Sequence, residues 1–161
     1  MDTTRDTAEI RRMRDADTVA MHEVHTKAVR RVCARLLDSD IVDAWLCGRT
    51  PAGYLAAAEQ GGERFWVAAN EEQVIGFASW RREELLSLFI DPDIQGRGLG
   101  RLLFAVCEND AIENGNAILR LNSTLNARTF YAALGFQEIR EGYTEKRNKR
   151  IPHVEMSRQQ S

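Results

Sequence analysis

The run Leu88-Phe89-Ile90-Asp91-Pro92-Asp93-Ile94-Gln95-Gly96-Arg97-Gly98-Leu99-Gly100-Arg101 decides how the rest of the chain is read. Its apolar start predicts a strand that ends in a proline turn, after which a glycine-rich loop feeds straight into a helix. From Asp93 to Arg101 there is no proline, so every main-chain N–H remains available as a donor. Gly96, Gly98 and Gly100 allow positive φ and let a ligand approach the backbone closely. Amides at a helix start, backed by the positive end of the helix dipole, suit an anion, most naturally a phosphate or pyrophosphate. Arg97 and Arg101 add positive charge beside it. A plain strand-to-helix turn without a ligand accounts for the same glycines equally well. Two other phosphate motifs fail on spacing. GxxxxGK[ST] is absent because no Lys-Ser or Lys-Thr follows the glycines. GxGxxG is absent because the glycines run GxGxG, behind antiparallel hairpins.

Upstream, Glu84–Ile90 is apolar on both sides, with Leu86, Leu88 and Ile90 on one and Leu85, Ser87 and Phe89 on the other. This predicts a central strand covered on both faces. Residues 65–69 and 74–80 read as a hairpin around Asn70-Glu71-Glu72, and a turn at Arg81-Arg82 joins it to the central strand. The first third is helical after a short strand at 9–13. Residues 18–37 carry Val19, Val24, Ala28, Val32 and Leu36 at helical spacing. A short helix follows Asp40, and Pro51 opens another that Gly61-Gly62 stops. Downstream, Leu99, Leu102, Leu103 and Val106 stripe a helix that ends at Asn114-Gly115. A strand at 117–121 is then parallel to its predecessor through the helical crossover. Asn126 caps a helix bearing Ala127, Phe130, Tyr131 and Leu134. Strands at 136–143 and 154–158 close the chain around a basic turn, 146–150. The expected fold is α/β, a mixed and mostly antiparallel sheet with one central parallel pair and helices on both faces.

The chain has 161 residues, fitting one domain over 1–161, and 22 Lys+Arg against 24 Asp+Glu. That near-balance gives no support to a nucleic-acid or anionic-membrane surface, and no apolar run approaches the ~18 residues of a membrane span. The charged start, MDTTRDTAEIRRMRDAD, lacks the apolar core of an export signal. Cys33, Cys47 and Cys107 form no CxxC pair, which fits a reducing cytoplasm.

The segment Gln95-Gly96-Arg97-Gly98-Leu99-Gly100 resembles the [QR]xxGx[GA] signature of the GCN5-related N-acetyltransferase family. Asn126-Ala127-Arg128-Thr129-Phe130-Tyr131-Ala132-Ala133-Leu134-Gly135-Phe136 is similar to that family's N-A-x-x-F-Y-x-x-x-G-F element. With the element order, the resemblance covers about residues 7–158. It implies acetyl transfer from acetyl-CoA, as cosubstrate, to an amine, with the pantetheine arm between splayed parallel strands. It implies that main-chain groups at Leu88, Phe89 and Ile90 hold the pantetheine and polarise the thioester carbonyl, the place for a preorganised donor. It also implies that Gln95, Gly96, Arg97, Gly98, Leu99, Gly100 and Arg101 hold the pyrophosphate and that Asn126 lies near the pantetheine.

Tyr131 is then the candidate general acid for the departing thiolate, although spacing alone equally places it in an apolar stripe. Phe130 is expected in the core. Glu84 stands eleven residues before Gln95, the spacing of a base glutamate in the histone-acetylating branch, and is the candidate general base beside a water chain. No metal site is expected: His22 and His25, three apart on the first helix, have no nearby Cys and read as helix surface. His153 and Glu155 read as a surface strand pair that could line an acceptor pocket, and the basic turn as a solvated tip. Asp38, Asp40 and Asp43 could attract a cationic amine. The expected acceptor is a primary amine of a small molecule. The alternatives are a protein or peptide acetyltransferase and a non-catalytic acyl-CoA-binding module. A homodimer is compatible with the family.

Overall fold

β1 (Glu9–Arg12), β2 (Arg64–Asn70), β3 (Gln73–Arg81), β4 (Glu84–Ile90), β5 (Arg120–Ser123), β6 (Gln137–Lys146) and β7 (Lys149–Ser157) form one sheet in the computed structural model. Residues 8–94 and 96–160 are described. The strand order is β1-β2-β3-β4-β5-β7-β6, antiparallel throughout except for β4 against β5. The helices are α1 (Thr18–Arg31), α2 (Ser39–Leu46), α3 (Pro51–Glu59), α4 (Leu99–Glu113) and α5 (Arg128–Ala133). This is the expected mixed, mostly antiparallel α/β sheet.

Both faces are covered. On one, Leu99, Leu103, Phe104 and Cys107 of α4 pack with Tyr131 against Ala78, Trp80 and Leu85. On the other, Met21 and Val24 of α1 and Tyr54 of α3 pack on Phe65, Val67 and Phe77. Asp110 ties α4 to the sheet. Its carboxylate accepts from Arg64 Nε (2.8 Å) and from the indole nitrogens of Trp66 and Trp80 (2.9 Å each).

The parallel pair is the feature that makes a site. β4 and β5 pair only at Glu84↔Arg120 and Leu85↔Leu121, so the strands part before Leu88. Within β4, Ser87 lies opposite Ser79 and Leu85 opposite Trp80, leaving Leu86 as an extra, bulged residue. The bulge changes the expected faces. Leu85, Leu88 and Ile90 pack on the α4 side, whereas Leu86, Ser87 and Phe89 all turn to the α1 side.

Several boundaries differ from the sequence expectation. The first helix ends at Arg31 and continues as a 3₁₀ turn, Cys33–Leu36, and Val19 and Leu36 are each 58% exposed. The buried stripe is Met21, Val24, His25, Ala28 and Val29, whose three- and four-residue steps keep one face to the sheet. The 3₁₀ turn Leu125–Ala127 precedes α5, so Ala127 rather than Asn126 stands at its N-cap. β5 begins at Arg120 because the amides of Leu119 and Arg120 both donate first to the Glu83 carbonyl (2.8 and 3.2 Å). β6 and β7 continue to a two-residue turn in which Arg147 and Asn148 have φ of 53° and 63°, the left-handed geometry of a tight hairpin. The basic turn is not a free tip. Lys149 pairs with Asp40 (2.8 Å) and Lys146 donates to the Trp45 carbonyl (2.8 Å), docking the hairpin on α2.

Candidate active site

Where β4 and β5 part, a hollow of about 520 Å³ lies between the end of β4, the glycine loop and α5. Leu88, Phe89 and Ile90 form its strand wall. Gly96, Gly98, Leu99, Gly100 and Arg101 form its loop wall. Gly96 and Gly98 have φ of 87° and 81°, conformations that favour glycine, and Gly98 is the N-cap of α4. The amides of Leu99, Gly100 and Arg101 belong to the first turn of α4, which has no acceptor inside the helix for them. An anion fits there, with Arg101 on the wall. The turn before the loop is pinned to α1, since Lys27 bonds Asp91 (2.8 Å) and Asp93 (2.7 Å) and Arg31 bonds Asp93 (3.0 Å). Gln95 lies outside the described residues. Arg97 is not on the wall of the hollow, although the sequence placed it beside Arg101.

Asn126, Phe130 and Tyr131 close the opposite wall. Phe130, expected in the core, faces the hollow and covers Gly100: a Cβ there would meet two of its ring carbons at 3.2 Å. Tyr131 is buried, and that burial pushes its hydroxyl well above the ordinary phenol range. It therefore keeps its proton through neutral pH.

A second hollow, about 560 Å³, lies on the other side of Phe89. Phe89 and Thr124 belong to both walls, so the two hollows meet there. Glu63, Ser87, His25 and Tyr54 line the second hollow with Arg49 and Lys146. His25 Nδ1 and the Tyr54 hydroxyl share a hydrogen bond of 2.9 Å, and His25 Nε2 is buried without a partner among the described residues. Burial, reinforced by Arg49, His22 and Lys146, lowers the His25 imidazole to about 3, so it is neutral at physiological pH. Burial also raises Tyr54 to about 12. The Glu63 carboxyl is raised by burial, with Arg81, Ser79 and Arg49 opposing. Beside it, the Ser79 and Ser87 hydroxyls are 2.6 Å apart.

Glu84 is placed differently from Glu63. It stands at the start of β4, where β4 and β5 are still paired, lines neither hollow and lies 3.7 Å from Arg120. His25 is buried against Phe89, not on the helix surface as its spacing suggested. His153 does line the second hollow, while Glu155 pairs with Arg140. Asp40 and Asp43 pair with Lys149 and Arg30, and Asp38 does not line the hollow. Sequence reasoning missed Arg49, Tyr54, Glu63 and Thr124. The local signal for each is slight, because the sheet and α3 gather them from four separate segments. Among the described residues no group of His, Cys, Asp and Glu is placed to hold a metal ion, and no helix is long and apolar enough to cross a membrane.

A strand pair thus splays beside a glycine-led helix start, with a second hollow behind it. The profile of the acetyltransferase (GNAT) domain matches residues 45–159, and the chain belongs to that family. It is 31% identical over 116 residues to the L-amino acid N-acyltransferase MnaT of Escherichia coli K12, covering 68% of this chain and 66% of MnaT. It is 37% identical over 73 residues to the peptidyl-lysine N-acetyltransferase YjaB of the same organism, covering 45% of this chain and 48% of YjaB. The chain thus spans from about half to about two thirds of these relatives. The PaiA N-acetyltransferase of Thermoplasma acidophilum, solved with coenzyme A, superposes with a TM-score of 0.75 at 20% identity. That match covers 94% of this chain and 99% of PaiA.

Proposed function

We propose that this chain transfers the acetyl group of acetyl-CoA directly to a primary amine of a small molecule. The observation that carries this is the meeting of the two hollows at Phe89 and Thr124, at the end of the parted strand β4. The glycine loop and first turn of α4 hold the pyrophosphate, and the main chain of Leu88, Phe89 and Ile90 faces the pantetheine and the thioester carbonyl. Asn126 adds a polar contact to the arm.

The amine must first lose a proton, since an ammonium has no lone pair. Glu63 faces the acceptor-side hollow with a carboxyl that burial raises above its ordinary value, so we assign the proton to it. Glu84, held beside Arg120, is the second candidate. The amine nitrogen then attacks the thioester carbon and the carbonyl oxygen takes negative charge. Collapse of that intermediate breaks the C–S bond, and Tyr131 gives its proton to the sulfur. The second proton from nitrogen restores Tyr131 and the first leaves Glu63 for solvent, so the products are amide, thiol and one released proton.

Small acceptors are favoured by the way the β6–β7 hairpin, docked on α2 through Lys146 and Lys149, walls the second hollow. Likeness to MnaT over two thirds of the chain supports the same side, and likeness to YjaB keeps peptidyl lysine as the competing acceptor. The three free cysteines fit the cytoplasm as its compartment. Calorimetric titration with acetyl-CoA, CoA and ATP tests the cosubstrate, and thiol release from a panel of amines tests the transfer. Micromolar acetyl-CoA binding with ATP silent is expected. Absence of acetyl-CoA binding sinks the proposal.

A further inference from the structure

The acceptor-side hollow carries an unbalanced charge. Arg49 Nε and Lys146 Nζ both donate to one atom, the Trp45 carbonyl oxygen, at 3.4 and 2.8 Å. Two full positive charges are therefore held within a few ångströms of each other on one wall. Neither has a carboxylate within ion-pair distance among the described residues, although both line the hollow. The cations around them are paired: Lys149 with Asp40, Arg30 with Asp43, Lys27 with Asp91 and Asp93. Capping the C-terminal end of α2 accounts for one cation on the Trp45 carbonyl. It does not account for a second, nor for the guanidinium donors of Arg49 left over beside the hollow.

The groups facing Arg49 and Lys146 across the hollow are few. α1 presents His25, which is neutral, and His22, whose Nε2 contacts the Arg49 carbonyl rather than its side chain (3.1 Å). β7 presents His153, and the turn before β2 presents Glu63, the one carboxyl on the wall among the described residues. Glu63 is turned towards Ser79 and Arg81. The hollow thus has a cationic side and a single acidic position. It also holds one buried nitrogen, His25 Nε2, that nothing in the protein satisfies.

From this we infer that the acceptor is a small amine that also carries a carboxylate, which Arg49 and Lys146 seat while its ammonium turns to Glu63. The inference rests on the acetyl-transfer reading above and names its substrate class. An incoming carboxylate relieves the repulsion between the two cations, and the Arg49 fork suits its geometry. A protein lysine brings no such anion in its side chain, and a plain amine leaves two cations unpaired against a desolvated ligand.

The test is thiol release from acetyl-CoA with L-methionine, L-phenylalanine and γ-aminobutyrate, each beside its amide and its decarboxylated amine. The acids should exceed their uncharged partners in kcat/KM by at least about tenfold. Arg49→Met and Lys146→Met should each lower kcat/KM for the acids by a much larger factor than for the amides, so the preference collapses. Lys146→Arg should restore part of it. Acetyl-CoA affinity, measured by calorimetry on every variant, should stay at the parent value and so reports that each has folded. Amides or decarboxylated amines that match the acids overturn the inference and leave acetyl transfer standing. Turnover of a lysine peptide with none of these amines overturns both the inference and the small-molecule acceptor. Failure of the parent protein to bind acetyl-CoA removes the transferase reading itself, and the inference with it.

Discussion

The imidazole of His25 lies stacked on the phenyl ring of Phe89, with centroids 4.1 Å apart and planes 27° from parallel. Phe89 is the side chain that separates the two hollows, and Phe77 supports it from the sheet at 5.8 Å. His25 is itself held by Tyr54. A layer of rings thus fixes the end of β4 at the point where its main chain is proposed to face the thioester. Groups that stabilise charge in a transition state work only if they need not be reorganised at that moment.

Because His25 titrates near 3 in the folded chain and near 6.5 when unfolded, the unfolded chain takes up a proton in that interval which the folded chain refuses. Stability is therefore full above pH 6.5 and falls as pH drops below it, by about 2 kcal/mol at pH 5. Urea unfolding at pH 7 and pH 5 measures the difference. His25→Phe keeps a stacked ring and should flatten that part of the dependence; an unchanged slope in this variant would show that His25 is not its source.

Tyr131→Phe keeps the ring among Phe130 and Phe136 and removes only the hydroxyl. Turnover should drop by about a hundredfold or more while acetyl-CoA affinity stays close to the parent value. Retained turnover would return Tyr131 to a purely packing role.

Glu63→Gln keeps the size of the side chain and removes its titration. Since burial raises the Glu63 carboxyl, the parent pH–rate profile for kcat/KM should have its acid limb above the ordinary carboxylate range. Activity rises with pH through that limb because only the ionised carboxylate accepts a proton. The variant should lose most of its turnover together with the limb. If the limb persists in Glu63→Gln and disappears in Glu84→Gln, the base is Glu84.

The glycine loop separates backbone geometry from packing. Gly98→Ala places a Cβ on a residue at φ 81°, a strain of about 1 kcal/mol, in the loop that presents the anion site. Gly100→Ala instead pushes a methyl towards the Phe130 ring, 3.2 Å away. Both should weaken acetyl-CoA binding about tenfold in calorimetry. Normal affinity in both variants would mean that the loop does not carry the cosubstrate.

The central hairpin, the glycine loop and α4 were legible because their signals are local: a polar turn between apolar runs, glycines ahead of a stripe, Asn-Gly after it. The residue types in the Asn126–Phe136 block were likewise visible in one stretch. The acceptor side was not. His25, Arg49, Glu63 and Lys146 come from α1, the loops on either side of α3 and the end of β6, and only the packing of α1, α3 and the β6–β7 hairpin brings them to a common hollow. His25 looked like helix surface because Val19 and Leu36 suggested a different stripe from the one that packs. The bulge at Leu86 was equally hidden, since it depends on how Ser79 and Trp80 of the neighbouring strand pair with β4.

Asp110 is a stability prediction with the opposite chemistry from His25 but the same sign. Burial alone would raise its carboxyl, yet the bonds from Arg64, Trp66 and Trp80 outweigh burial and bring it from 3.8 down to about 2. The depressed value means that the contribution is complete above about pH 4 and is lost as pH falls towards 2, a loss of about 2 kcal/mol. Asp110→Asn removes the charge, leaves Arg64 and two indoles without a carboxylate, and should cost about 3 kcal/mol at pH 7. Chemical unfolding of both proteins between pH 7 and pH 2.5 distinguishes the two contributions, because the parent should lose its advantage over the variant only in the acid part of that range. A constant difference across the whole range would mean that Asp110 acts by shape and hydrogen bonding alone. In that case its charge would not be what binds α4, and with it the glycine loop, to β2 and β3.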